Sequence, residues 1–190
     1  GTKFVYGGMR DGNDEFCMLA PFGDASVTIY DGGVSEWSGT VTSSGTCVQN
    51  DITSGNAVRI VSDKPILVFR EGAANNRDSW AFYPLINKEL YLPSVSTDGY
   101  VAAGSSGATA YYYTSSGSSG STSVSSESEV ELSGLTGNGD DGSGPAIKIS
   151  ASYPVGLIQQ ADSDGTESSA VSYTHLRAHE TPEHLVCRLL

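Results

Sequence analysis

The segment GNAVRIVSDKPILVFREGAANNRDSWA (residues 55–81) lies over GPAIKISASYPVGLIQQADSDGTESSA (residues 144–170) without a gap, at a constant offset of 89 residues. Gly55, Ala57, Ile60, Pro65, Ser79 and Ala81 recur identically. Val58/Ile147, Arg59/Lys148, Ile66/Val155, Asn75/Asp164 and Asp78/Glu167 match like for like. Upstream the match is looser but keeps its order. ASVTIYDGG (residues 25–33) corresponds to ATAYYYTSSG (residues 108–117), and KFVY (residues 3–6) to KELYL (residues 88–92). Self-similarity on this scale predicts a tandem array in which each unit repeats one supersecondary design. A unit of this length can close one modest core of its own.

Within each unit the apolar residues come in short runs bounded by Gly, Asp, Asn and Ser, with no helical spacing, which reads as all-β. In the first unit strands are expected near residues 3–6, 15–20, 26–30, 36–41, 47–49, 57–61, 65–70 and 79–83. SVTIY and AVRIV alternate, placing Val27/Ile29 and Val58/Ile60 on one face and Thr28 and Arg59 on the other, as in a half-buried antiparallel strand. PILVF is apolar on both faces and is expected to be central, with Pro65 tolerated because it opens the strand. Turn residues such as Asp31-Gly32-Gly33 and Ser62-Asp63-Lys64 punctuate at sandwich spacing. The polar stretch at residues 114–128 has linker-like composition. It occupies the place of a first-unit hairpin, so a long polar hairpin is expected there. The predicted fold class is therefore all-β: two tandem antiparallel β-sandwich repeats, residues 1–86 and residues 87–170, the second truncated.

The last residues, VSYTHLRAHETPEHLVCRLL, hold all three histidines and Cys187 at zinc-like spacing. Codons that spell VSYTHLRAHET and LVCRLL include two segments resembling the flanks of an adapter used in transposase-based short-read library preparation, both in one frame. Residues 171–190 are accordingly expected to be an adapter-derived tail, not genuine protein, and to stay outside the β core. On this reading the genuine chain is an internal fragment of a longer protein. It also lacks histidine, so neither a Ser-His-Asp nor a Cys-His arrangement can be assembled from it, and no catalysis is expected.

The net charge of −12 opposes phosphate backbones, and the few basic residues are scattered singly, so no nucleic-acid partner is expected. No apolar run is long enough to cross a membrane as a helix, so no membrane insertion of this piece is expected. Cys17 and Cys47 each fall in a predicted strand. In an oxidising compartment they would staple neighbouring strands, and in a reducing one they would be buried thiols. Asp162, Asp164 and Glu167, in DSDGTE, carry oxygens at alternate positions around Gly165 and form a calcium-loop candidate. An acidic β-turn explains the same residues. Trp37 and Trp80 with Tyr111, Tyr112 and Tyr113 are candidates for a sugar-stacking platform, against the reading that they are core and cross-strand partners.

The segment VRIVSDKPILVF (residues 58–69), after VTIYDG and before ELY (residues 89–91), resembles the β-sandwich repeats of the IgGFc-binding-protein N-terminal family. In the second unit Ser152 and Tyr153 replace Asp63 and Lys64 of this pattern. The resemblance implies an extracellular, cell-surface or virion-displayed structural or adhesive module, with a protein or glycan surface partner and neighbouring repeats of the same chain. The alternative is a carbohydrate- or calcium-binding accessory module of a larger secreted enzyme or virion component.

Overall fold

The computed structural model describes residues 1–7, 12–53, 55–71, 79–82, 87–92, 98–132 and 146–160. Among the described residues there are fourteen strands and no helix. The first half holds β1 (Lys3–Tyr6), β2 (Gly12–Leu19), β3 (Ala25–Asp31), β4 (Val34–Val41), β5 (Thr46–Ile52), β6 (Val58–Ser62), β7 (Leu67–Glu71) and β8 (Ser79–Phe82). They make two antiparallel four-stranded sheets, ordered β1-β6-β3-β4 and β5-β2-β7-β8. All eight expected strands are present. The hairpin from β3 to β4 turns on Gly32 and Gly33, at φ of 54° and 87°. Two consecutive left-handed residues give the primed turn whose twist matches antiparallel strands, and glycine adopts it without strain.

The period-2 pattern decides which side chains meet between the sheets. Alternate residues of β3 are buried, Ala25, Val27, Ile29 and Asp31. Phe4, Val27, Ile29, Val58 and Ile60 from one sheet pack against Phe16, Met18, Ile66 and Val68 from the other, and Trp37 and Val48 close the cluster at its margin. That is a sandwich core: two inner faces interdigitate and exclude water.

The second half holds β9 (Asn87–Leu92), β10 (Asp98–Ala103), β11 (Ala108–Thr114), β12 (Ser119–Val124), β13 (Glu129–Glu131) and β14 (Ile147–Gln160). Its six strands form one hydrogen-bonded sheet, and their neighbours match those of β1–β7 in the first half. β14 takes the places of both β6 and β7: residues 147–151 pair with β9 and β11, and residues 155–160 pair with β10, which also pairs β13. The buried positions correspond too. Phe4/Leu90, Val27/Ala110, Val41/Val124, Ile60/Ile149, Met18/Val101, Ile66/Val155 and Val68/Leu157 are all buried at matched register. At several of them the second half has the smaller side chain. The polar stretch after β11 is the β11–β12 hairpin, as expected from its place in the sequence.

The halves differ where β6 meets β7. In the first half, residues 63–66 leave the ladder between the two strands; in the second, β14 continues through Tyr153 and Pro154. Its pairing with β9 shifts register between Ser150 and Val155. Proline lacks an N–H and is accommodated in a strand at such an irregularity.

β7 is central, between β2 and β8, but its second apolar face is open: Leu67 is 47% and Phe69 43% exposed. An apolar run on both sides placed the strand within its sheet correctly and did not imply a cover for its outer face. The tail at residues 171–190 lies outside the described residues.

Candidate functional site

The chemistry of this chain concentrates where the two halves meet. Arg59 leaves β6 on its outer face and lays its guanidinium 3.8 Å from the centroid of the Tyr30 ring, on the neighbouring strand β3. Its Nε–H is shared between both carboxylate oxygens of Glu127, at 2.9 Å and 3.2 Å. Glu127 belongs to the turn between β12 and β13, in the other half of the molecule. The two side chains are only 20% and 14% exposed, so the pair is poorly screened by solvent. Backing the cation with an aromatic face adds attraction without a second charge to desolvate.

The backbone around this pair is also joined across the junction. The Ala57 N–H donates to the Glu127 carbonyl at 3.2 Å, and the Glu129 N–H donates to the Gly55 carbonyl at 3.2 Å. Within the second half, the Glu127 N–H donates to the Gly104 carbonyl at 2.8 Å. Glu127 sits at φ 55°, a left-handed conformation uncommon for a residue with a Cβ. Its main chain is therefore held by hydrogen bonds on both sides while its side chain reaches Arg59.

Beneath the polar contacts lies a small dry kernel of Val5, Ala57 and Ala102. Gly156 of β14 completes it: a Cβ there would overlap the Val5 carbonyl oxygen. Glycine is needed because two backbones approach within the space a side chain would take. Beside the kernel a cleft of about 700 Å³ opens between Lys3, Arg59 and Val61 on one side and Ser105, Ser106 and Tyr153 on the other.

Cys17 and Cys47 are directly opposed on β2 and β5 and form a disulfide, with Cα atoms 4.0 Å apart. The two cysteines are thus a bridged pair on neighbouring strands. Glu15 lies within ligand reach of both sulfurs, but sulfurs joined to each other are not thiolates and do not make a metal site. The calcium candidates Asp162, Asp164 and Glu167 lie outside the described residues.

The aromatic candidates divide. Trp37 packs on the first core, and Tyr112 packs on the second. The Trp80 side chain is outside the described residues. Tyr111 and Tyr113, two apart on β11, point outward at 46% and 50% exposure. Tyr113 is opposite Lys148 of β14, and Lys148 is opposite Tyr91 of β9, so three strands present a Tyr-Lys-Tyr row. Glu89, 3.6 Å from the Lys148 ammonium, and then Tyr91 hold that lysine charged above the ordinary lysine range. The sequence singled out Tyr111 and Tyr113 but not Tyr91, Arg59 or Glu127. No local pattern marks them, because they belong to strands and a turn far apart in the chain.

Among the described residues no helix is long and apolar enough to cross a membrane. Comparison of the chain with protein-family models, with curated proteins and with solved structures finds no match in any of the three.

Proposed function

We propose that this chain is a non-catalytic structural or adhesive module of tandem β-sandwich units, displayed outside the cell, on a cell surface or on a virion. The observation that carries the reading is the junction. Its two halves are joined by an ion pair, reciprocal backbone hydrogen bonds and a glycine-dependent close approach. A flexible tether between independent domains needs none of these; a stalk that transmits orientation needs all of them. The Cys17–Cys47 disulfide supports an oxidising compartment. The likeness of VRIVSDKPILVF to IgGFc-binding-protein N-terminal repeats supports the same assignment. A direct test is small-angle scattering on the chain and on its Arg59→Met variant. A single rigid shape that becomes a distribution of shapes in the variant supports the module; an already broad distribution in the parent chain refutes it.

The second reading is a carbohydrate-binding accessory module, favoured by the outward Tyr111 and Tyr113. Saturable binding on a glycan array, lost on Tyr113→Ala, would support it.

A further inference from the structure

We infer that the Tyr113–Lys148–Tyr91 row of the second half is a docking seat for a further β-sandwich unit, one that presents a glutamate at the position of Glu127 and a glycine at the position of Gly156. The inference rests on the structural-module reading and names the surface through which such a module is extended.

The ground for it is the equivalence of two rows within one molecule. In the first half Tyr30, Arg59 and Val5 stand side by side on β3, β6 and β1. In the second half Tyr113, Lys148 and Tyr91 stand side by side on β11, β14 and β9, at the matching register. Both rows read aromatic, cation, apolar body. The first is covered by the second half: Arg59 binds Glu127, Val5 meets Ala102 and Gly156, and Ala57 is fully buried. The second row is open, and Ala146, the counterpart of Ala57, is exposed. At the matched edge-strand position exposure is 4% at Val5 in the first row and 39% at Tyr91 in the second. The open row thus keeps an aromatic beside a cation, with Tyr91 in the place of Val5 and with Glu89 of its own half, 3.6 Å from Lys148, as the acid beside that cation among the described residues.

The occupant's chemistry follows from what covers the first row. It needs an acidic side chain on a turn that reaches the cation over the tyrosine, and a strand that bears no side chain where it crosses the edge strand. The first half of this chain does not qualify: Ser44 stands at the place of Glu127, and Leu67 at the place of Gly156. A leucine there would collide with the backbone that glycine lets approach. A second copy of the chain therefore does not add through its first half, and the seat selects units of the second type.

The test is a chain in which residues 82–170 are repeated after Ala170 in place of residues 171–190. That join continues the offset of the repeat, since Ala170 stands where Ala81 stands. The appended copy carries Tyr91→Phe and Tyr113→Phe, so that its peptides differ in mass from those of the middle unit. Hydroxyl-radical labelling of Tyr91 and Tyr113 in the middle unit is then compared with the parent chain, and amide exchange of the appended copy is read alongside. Labelling of both tyrosines should fall several-fold. Lys148→Glu in the middle unit should restore it, and a further Glu127→Lys in the appended copy should lower it again. Labelling unchanged from the parent overturns the proposal. So does an appended copy that gains no amide protection, since a seat of this kind has to hold the unit placed on it. Protection by a neutral oligosaccharide panel, and not by the appended unit, would make the face a glycan platform and overturn it as well. Protection at Ala57 and Glu129, read in the same samples, reports the first junction, so failure at the second seat is distinguishable from failure of the module reading.

Discussion

Replacing Arg59 by methionine keeps most of the side chain's length and removes its charge. The structure sets the size of the effect. One charge-assisted hydrogen bond, shared between the two Glu127 oxygens, is lost; such bonds contribute about 1.5–3 kcal/mol. The cation–π contact with Tyr30 is also lost, about 0.5–1 kcal/mol in a partly exposed setting. Glu127, only 14% exposed, is left without its partner, which adds to the cost unless the side chain swings out to water. The sum is on the order of 2–4 kcal/mol, and it falls on the coupling between the halves more than on either core. Both tryptophans, Trp37 and Trp80, lie in the first half. Tryptophan fluorescence therefore follows that half alone, while far-ultraviolet circular dichroism follows both. In the parent chain the two urea transitions should coincide, and in the Arg59→Met variant they should separate. A double-mutant cycle with Glu127→Gln isolates the pair, and a coupling energy above about 1 kcal/mol is expected for groups in contact. Coincident transitions in the variant, together with additive single effects, would refute the reasoning.

The Cys17–Cys47 bridge closes a loop with a sequence separation of 30, so its loss should cost about 3–4 kcal/mol in the chain-entropy account; unfolding midpoints that do not change with reductant would contradict this. The second half should exchange its amides faster than the first, because its core has Leu90, Ala110 and Val101 where the first has Phe4, Val27 and Met18, at about 0.8 kcal/mol per missing methylene. Equal or greater protection in the second half would count against it. Gly156→Ala should open the junction without unfolding the first sandwich, seen as lost protection at Ala57 and Glu129 with an unchanged tryptophan signal. Lys148 should titrate above the ordinary lysine range, and Glu89→Gln should lower it. Since its folded pKa is raised, any stabilisation from that contact is present below the ordinary lysine pKa and lost as pH rises through the folded value. Deleting residues 171–190 should leave the melting temperature unchanged; a large drop would show that they belong to the fold.

Much of the architecture was legible residue by residue. The alternation in SVTIY and AVRIV placed Val27, Ile29, Val58 and Ile60 on the buried face, and all four are in the core. The repeat alignment paired Ile60 with Ile149 and Ile66 with Val155, and these pairs occupy matched buried positions. The turn glycines Gly32 and Gly33 marked the hairpin they make. The outer face of β7 was not legible, because an apolar residue in a strand carries no mark of whether another layer covers it. The disulfide was legible as a possibility and not as a bond, since the separation of two β-carbons is a property of strand pairing.

Sequence alone determined what is local and periodic: the strand class, the inward residues, the turns and the likeness of the two halves. These follow from the two-residue repeat of an extended chain and from the φ values each residue type tolerates. Tertiary structure alone decided the junction. Arg59 and Glu127 are 68 residues apart, Gly156 reads as an ordinary strand glycine until Val5 is seen against it, and Tyr91 joins Tyr113 only because β14 runs between their strands. Contacts of this kind have no period in the chain, because they depend on how the two halves are set against each other.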